Sequence, residues 1–216
     1  MKVGTDAVLL PCLTDLYKAQ NILEVGCGSG VISLMLAQLS EAHILAIDIH
    51  RDSVDQALEN FELSPWKKRL NAQYISLQEF ANTSQTKFDL IISNPPFFID
   101  SLKSPEKNRN LARHNDSLSQ TDLLLSARQL MNPKAVLSLI LPLTEGEEII
   151  RKAIEEGFYL ISRVDILPKP SKKVNRMVIE LSLSEQNFKQ KQLIIREENN
   201  EYTQAYKELT KDFYLN

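Results

Sequence analysis

Two short motifs carry residue types whose spacing could do chemistry. The first is Ile22-Leu23-Glu24-Val25-Gly26-Cys27-Gly28-Ser29-Gly30, an apolar run that ends in a glycine turn and leads into a helical pattern. Glycines let a backbone pass close to a ligand with no Cβ in the way. In an open α/β sheet, ligands bind beyond the carboxyl ends of the strands, where strand order reverses. The next apolar run, 44–49, carries Asp48 near its end, and a carboxylate there can accept hydrogen bonds from both hydroxyls of a ribose. Together these features predict a nucleoside-bearing cofactor. Dinucleotide folds space their glycines as G-x-G-x-x-G, with a pyrophosphate on the helix N-terminus. Here Gly26, Gly28 and Gly30 follow Glu24 as E-x-G-x-G-x-G, a spacing that disfavours a nicotinamide dehydrogenase. A carboxylate beneath the turn repels pyrophosphate and suits a cationic cofactor; S-adenosylmethionine carries an ammonium and a sulfonium.

The second motif is Asn94-Pro95-Pro96-Phe97, directly after the run Phe88–Ser93. The prolines fix φ and remove two backbone donors. An acceptor-rich rim is left: the Asn94 side-chain oxygen and the Pro95 carbonyl. Such a rim suits an exocyclic amine like that of adenine, whose lone pair is conjugated into the ring and so is poorly nucleophilic. Two acceptors on its N–H groups would aim the lone pair at a methyl carbon. They would also stabilise the positive charge that develops on nitrogen, and in-line placement supplies the proximity effect. No strong base is needed, because the alkylated nitrogen is acidic. Phe97 offers a ring for stacking the base, worth ~1–3 kcal/mol.

Two stretches concentrate positive charge. Residues 103–114 hold Lys103, Lys107, Arg109 and Arg113 against Glu106, and residues 169–176 hold Lys169, Lys172, Lys173 and Arg176 with no acid. Flanking the glycine turn and the Asn-Pro-Pro-Phe motif, both would contact phosphates, which positions a nucleic acid without reading its bases.

The elements that must position these residues are visible as alternation. Apolar, β-branched runs lie at 22–25, 44–49, 72–76, 88–93, 136–141, 159–166 and 177–183, and helical patterns at 31–39, 53–63, 122–130 and 145–156. Asp52 or Ser53 is the expected N-cap of the second helix, and Thr121 or Asp122 of the third. Short runs alternating with helices predict βαβ units and a mostly parallel sheet in an α/β fold. No break leaves enough strands on either side to close a core, so one domain over 1–216 is expected. The tail 185–216 is expected to pack on the body through Leu193-Ile194-Ile195, Tyr202, Tyr206, Phe213 and Tyr214.

Composition agrees. The 216 residues are 43% apolar and 25% charged with net charge −3, ordinary for a globular chain. A chain built mainly to coat nucleic acid would be strongly basic, so any such role rests on the local patches. Cys12 and Cys27 form no CxxC or Cys/His cluster, which argues against a zinc ribbon or a disulfide framework, and no metal site is expected. Cys27, with no histidine partner in view, does not read as a nucleophile. No apolar run approaches ~20 residues, and no basic-then-apolar leader opens the chain. A cytoplasmic protein with no membrane contact and no obligatory protein partner is expected.

The glycine turn with Asn-Pro-Pro-Phe resembles class I S-adenosylmethionine-dependent amino-methyltransferases. Met1-Lys2-Val3-Gly4-Thr5-Asp6-Ala7-Val8-Leu9-Leu10, Arg109-Asn110-Leu111-Ala112-Arg113-His114 and the tail Tyr202-Thr203…Tyr206…Leu209-Thr210…Asp212-Phe213-Tyr214 narrow the resemblance to the bacterial tRNA(Val) adenine-37 N6-methyltransferases, over nearly the whole chain. The resemblance implies a Rossmann-like fold with a mostly parallel seven-stranded sheet, its last strand antiparallel, and helices on both faces. It places Thr5 and Asp6 near the methionine end of the cofactor, Glu24 and Gly26 around its carboxy-amino group, Asp48 on the ribose and Asn94 to Phe97 on the target base. The implied substrate is tRNA, with adenine 37 just 3′ of the anticodon. Members of the wider class often carry an acid after the third strand to hold the cofactor's adenine. Here Ser76-Leu77-Gln78-Glu79 occupies that place, so Ser76, Gln78 or a backbone group is the expected acceptor. Family members usually also have a segment upstream of the opening block.

Three rivals remain from the residues alone. Asn-Pro-Pro-Phe also serves enzymes that methylate the guanine amino group of ribosomal RNA, and Asn-Pro-Pro-Tyr those that methylate a release-factor glutamine. Both kinds usually carry an added domain. A non-catalytic RNA-binding module is the third, and the intact Asn94 argues against it.

Overall fold

Strands buried on both faces read as nearly continuous apolar runs, because helices cover both sides of a parallel sheet. The runs at 22–25, 88–93 and 136–141, and that at 177–183 up to Ser182, become such strands; the run expected at 72–76 falls on an edge strand at 70–74 whose burial alternates. The computed structural model describes residues 4–16, 18–95 and 118–214. Among these, β1 (Asn21–Val25), β2 (His43–Asp48), β3 (Leu70–Tyr74), β4 (Phe88–Ser93), β5 (Met131–Pro142), β6 (Tyr159–Leu167), β7 (Arg176–Ser182) and β8 (Lys189–Ile194) form one sheet, ordered β3-β2-β1-β4-β5-β7-β6-β8. β7 runs antiparallel to β5 and β6; every other neighbouring pair is parallel.

The sheet has eight strands where seven were expected, and the antiparallel strand is the last but one in the chain. The extra strand β8 is Lys-Gln-Lys-Gln-Leu-Ile, mostly exposed, with Leu193 buried. An edge strand meets a neighbour on one side only and tolerates charge, lysine above all, so its sequence lacks the apolar run that marks a central strand.

Among the described residues, seven α-helices cover the sheet. α1 (Thr5–Leu13), α2 (Val31–Leu39), α3 (Arg51–Glu62) and the late α7 (Gln204–Thr210) pack on one face, through Leu9, Leu10, Leu36, Val54, Phe61 and Tyr206. α4 (Leu77–Thr83), α5 (Gln120–Leu130) and α6 (Leu143–Glu155) pack on the other, through Phe80, Leu123, Leu124, Ala127 and Ile149. The caps differ from expectation by two or three residues. His50 precedes α3, with Asp52 in its first turn. Ser119, not Thr121 or Asp122, caps α5: its Oγ accepts from Asp122 N at 3.0 Å and donates to the Asp122 carboxylate at 2.7 Å. Ser and Asp are both good caps, and the pairing across three residues decides between them.

All strands except β7 run one way. The carboxyl ends of β1, β2, β3, β4, β5, β6 and β8 therefore share one edge with the first residue of β7, Arg176. Sequence order reverses between β1 and β4 at the middle of that edge, where such sheets bind ligands.

Candidate cofactor and substrate site

The glycine turn leaves β1 at this switch point. Gly26, Gly28 and Gly30 have φ of +81°, +53° and +77°, a region that strongly favours glycine. Gly26 N and Cys27 N donate to Ile47 O of β2, at 2.9 and 3.1 Å. The turn is thereby tied to the strand that carries Asp48. At Gly30 a Cβ would sit 2.6 Å from the Phe61 ring of α3, whereas at Gly26 it would meet nothing within 4 Å. One glycine allows close packing and the other leaves open space beside the backbone.

Asp48 ends β2 and is 8% exposed. Its Oδ2 accepts from Gly28 N at 3.0 Å and its Oδ1 from His50 N at 2.9 Å. Each carboxylate oxygen can accept a second bond, so the oriented group retains acceptor capacity.

Glu24 lies on β1, 1% exposed, between Ala46 of β2 and Ile92 of β4. Its Oε2 accepts from Ser33 N at 3.0 Å and from Ser33 Oγ, both in the first turn of α2, while its Oε1 has no partner. Burial pushes its carboxyl up to about 8; the Ser33 bonds pull it down and the Asp48 charge adds to the rise. Burial, with Glu24 and Asp48 nearby, pushes the Cys27 thiol up to about 12, in keeping with its not being a nucleophile.

Val25 pairs with Ser93, and Ser93 Oγ donates to Val25 O at 2.7 Å. Gly26 and Asn94 are thus the next residues out of two adjacent strands. Asn94 is half-buried and Pro95 buried. Phe97 and the stretch with Lys107, Arg109 and Arg113 lie outside the described residues.

Thr5 and Asp6 form the first turn of α1 at the same edge, and Asp6 Oδ2 accepts from Arg176 Nε at 3.1 Å. Arg176 was expected on RNA phosphates; the fold pairs it with an acid 170 positions away. Lys172 and Lys173 are exposed in the turn after β6. That turn is less basic than its sequence: Glu198 accepts from Ser171 N and Oγ at 2.8 and 3.0 Å, and its backbone carbonyl from Lys169 Nζ at 3.3 Å. Ser76, two residues beyond β3, caps α4 by accepting from Glu79 N at 3.2 Å, so one lone pair is spent on the helix.

The tail closes the edge beyond β6. Tyr202 stacks on Tyr206 with centroids 4.8 Å apart, and the Arg196 guanidinium lies 3.9 Å from the Tyr202 centroid. With Thr5, Pro168 and Ile195 they line a cavity of about 180 Å³. Sequence reasoning missed Ser33 altogether. Its signal was position: the third helical residue after a glycine turn holds an amide that needs an acceptor.

A glycine turn and two oriented acids at the switch point of a sheet that runs β4-β5-β7-β6 on one side of it define a Rossmann-like class I methyltransferase. The chain belongs to the methyltransferase small domain family, which matches residues 3–136, and to the group of its full-length relatives named tRNA1(Val) (adenine(37)-N6)-methyltransferases. The relative from Phocaeicola vulgatus is 42% identical over all of this chain and 92% of its own length. That from Parabacteroides distasonis is 43% identical over all of this chain and 91% of its own. Among solved structures, a predicted O-methyltransferase from Agrobacterium tumefaciens superposes with a TM-score of 0.76 at 20% identity, over 96% of both chains. A glycopeptide N-methyltransferase complexed with S-adenosyl-L-methionine superposes with a TM-score of 0.57 at 11% identity, over 76% of this chain and 87% of its own.

Proposed function

We propose that this chain is an enzyme that transfers a methyl group from S-adenosylmethionine to N6 of adenine 37 in tRNA1(Val). The observation that carries the reading is the register of β1 against β4, from which the glycine turn and Asn94-Pro95 emerge side by side. Full-length relatives named for that reaction support the substrate.

The residues fit the cofactor. Glu24 offers a buried, unpartnered carboxyl oxygen to an ammonium, Gly26 leaves open space along the backbone, and Asp48 has acceptor capacity for ribose hydroxyls. When bound, the cofactor supplies an electrophilic methyl on a sulfonium. The Asn94 side-chain oxygen and the Pro95 carbonyl accept the two N–H bonds of the adenine amine and aim its lone pair. These acceptors would stabilise the positive charge that grows on the amine nitrogen during methyl transfer, and the surplus proton would leave to water. Phe97 stacks the base. Lys172 and Lys173, with Lys107, Arg109 and Arg113, contact phosphates. Ser76 stays a candidate for the cofactor's adenine through its free O–H. A reaction on tRNA places the protein in the cytoplasm; among the described residues no helix is long and apolar enough to cross a membrane.

Incubation with labelled S-adenosylmethionine and bulk tRNA lacking the modification, followed by mapping of the labelled nucleoside, tests the reading. Label in N6-methyladenosine at position 37 of tRNA1(Val) is expected. Label on guanine N2, on protein, or nowhere would overturn it.

A further inference from the structure

Glu24 shows an asymmetry that helix capping does not explain. Gly30, the N-cap of α2, has no side chain to offer the helix. Glu24 serves instead, since the Ser33 amide it accepts is one of the orphan donors of the first turn. A cap needs one oxygen. Here both Ser33 bonds fall on Oε2, and Oε1 is left buried with no partner. A buried carboxylate without a counter-charge is costly and takes up a proton instead.

We propose that Ser33 is a positioning residue for the ammonium group of the cofactor: by occupying Oε2 of Glu24 it leaves Oε1 as the acceptor for that ammonium, and binding displaces a proton from Glu24. The inference rests on the S-adenosylmethionine reading. The exchange balances. A neutral Glu24 carboxylic acid meets an R–NH3+ group, the O–H proton goes to water, and a carboxylate paired with the ammonium remains.

The surroundings favour this exchange. β2 contributes the Asp48 charge, and the turn contributes the Cys27 thiol. β4 presents aliphatic Ile92 opposite Glu24, and α2 presents Ser33. α1, packed on α2, carries Asp6, held by Arg176, and Cys12. Among the described residues no cation is paired with Glu24, so the arriving ammonium is its first counter-charge. Its carboxyl, pushed up to about 8 by burial, is largely protonated at pH 7.

Calorimetry of the whole chain decides the matter. S-adenosylmethionine is titrated at pH 6 to 7 in two buffers of different ionisation enthalpy, alongside S-adenosylhomocysteine, which keeps the ammonium without the sulfonium, and 5′-methylthioadenosine, which has neither. Both amino-acid ligands should release close to one proton at pH 7 and bind about tenfold more tightly per pH unit over this range. 5′-Methylthioadenosine should release none. Because it keeps the ribose, it is also the control for the Asp48 end of the site. Glu24→Gln should abolish the release. Ser33→Ala should weaken binding of the amino-acid ligands severalfold, leave 5′-methylthioadenosine unchanged and move the pH profile upward; Ser33→Cys serves if that variant fails to fold. Binding of all three ligands to wild type without differential proton release would reduce Glu24 to a helix cap and overturn the proposal. An unchanged profile in the Ser33 variants would overturn the role of Ser33. If no adenosyl ligand bound, the cofactor reading itself would fall, and this inference with it.

Discussion

Arg176 Nε donates to Asp6 Oδ2 at 3.1 Å, joining the first residue of β7 to the first turn of α1. Both side chains are a little over one-quarter exposed, so solvent screens the pair, and such pairs contribute ~0–1 kcal/mol. The consequence is positional: α1 is held over the carboxyl edge where Glu24 and Asp48 lie. Arg176→Ala should lower stability by no more than about 1 kcal/mol and weaken cofactor binding. Asp6→Ala should do the same, and the double variant should fall short of the sum of the two. Denaturation and calorimetry on the three variants check this; strict additivity would mean that Asp6 and Arg176 do not act as a pair.

The turn after β6 should behave differently. Lys172→Gln with Lys173→Gln should raise the KM for tRNA, leave cofactor affinity alone, and lower the salt slope of binding by ~0.7–0.9 for each phosphate no longer neutralised. Arg176→Ala should leave that slope as in wild type. Filter binding over a salt series separates the two, and an unchanged slope in the double lysine variant would make this turn ordinary surface.

Two glycines of one turn should fail in different ways. Gly30→Ala places a methyl against the Phe61 ring at a φ of +77°, and overpacking of this kind costs about 1–3 kcal/mol. Gly26→Ala meets no neighbour and carries the left-handed backbone cost alone, ~1–2 kcal/mol, but its methyl enters the space proposed for the cofactor. Gly30→Ala should therefore lose mainly stability, and Gly26→Ala mainly cofactor affinity.

Asn94→Ala removes an acceptor whose bond strengthens as charge develops on nitrogen. The single-turnover rate at saturating cofactor and tRNA should fall by about 10²–10³, with binding little changed. Phe97→Ala should raise KM as well, through weaker stacking. A near wild-type rate for Asn94→Ala would mean that the motif is only a turn.

Glu24 gives the ligand-free protein a pH signature. Its folded pKa, about 8, lies above the ordinary value of 4.5. The stability it contributes is thus complete below about 4.5 and is lost as pH rises through about 8. Denaturant midpoints of the ligand-free protein should fall between pH 6 and 8.5 relative to Glu24→Gln. Parallel curves for the two proteins would show that Glu24 titrates as an ordinary carboxyl.

What the amino-acid order determined by itself was local: the apolar runs, the glycine turn with Glu24, Asp48 at the end of the next run, and Asn-Pro-Pro-Phe. Backbone conformation and burial period are short-range properties, and central strands announce themselves because both faces must be apolar. β8 escaped because an edge strand carries no such demand, and the caps of α3 and α5 shifted because several good capping residues stood close together. Contacts between distant segments were settled only by the tertiary structure. Charge counted along the chain made 169–176 a basic patch with no acid. Asp6 and Glu198 reach it through the fold, so Arg176 faces α1 and Ser171 holds a glutamate. The pairing of β1 with β4, which brings Gly26 beside Asn94, joins residues 68 positions apart. Nothing local encodes that neighbour relation; it follows from burying both faces of one sheet at once.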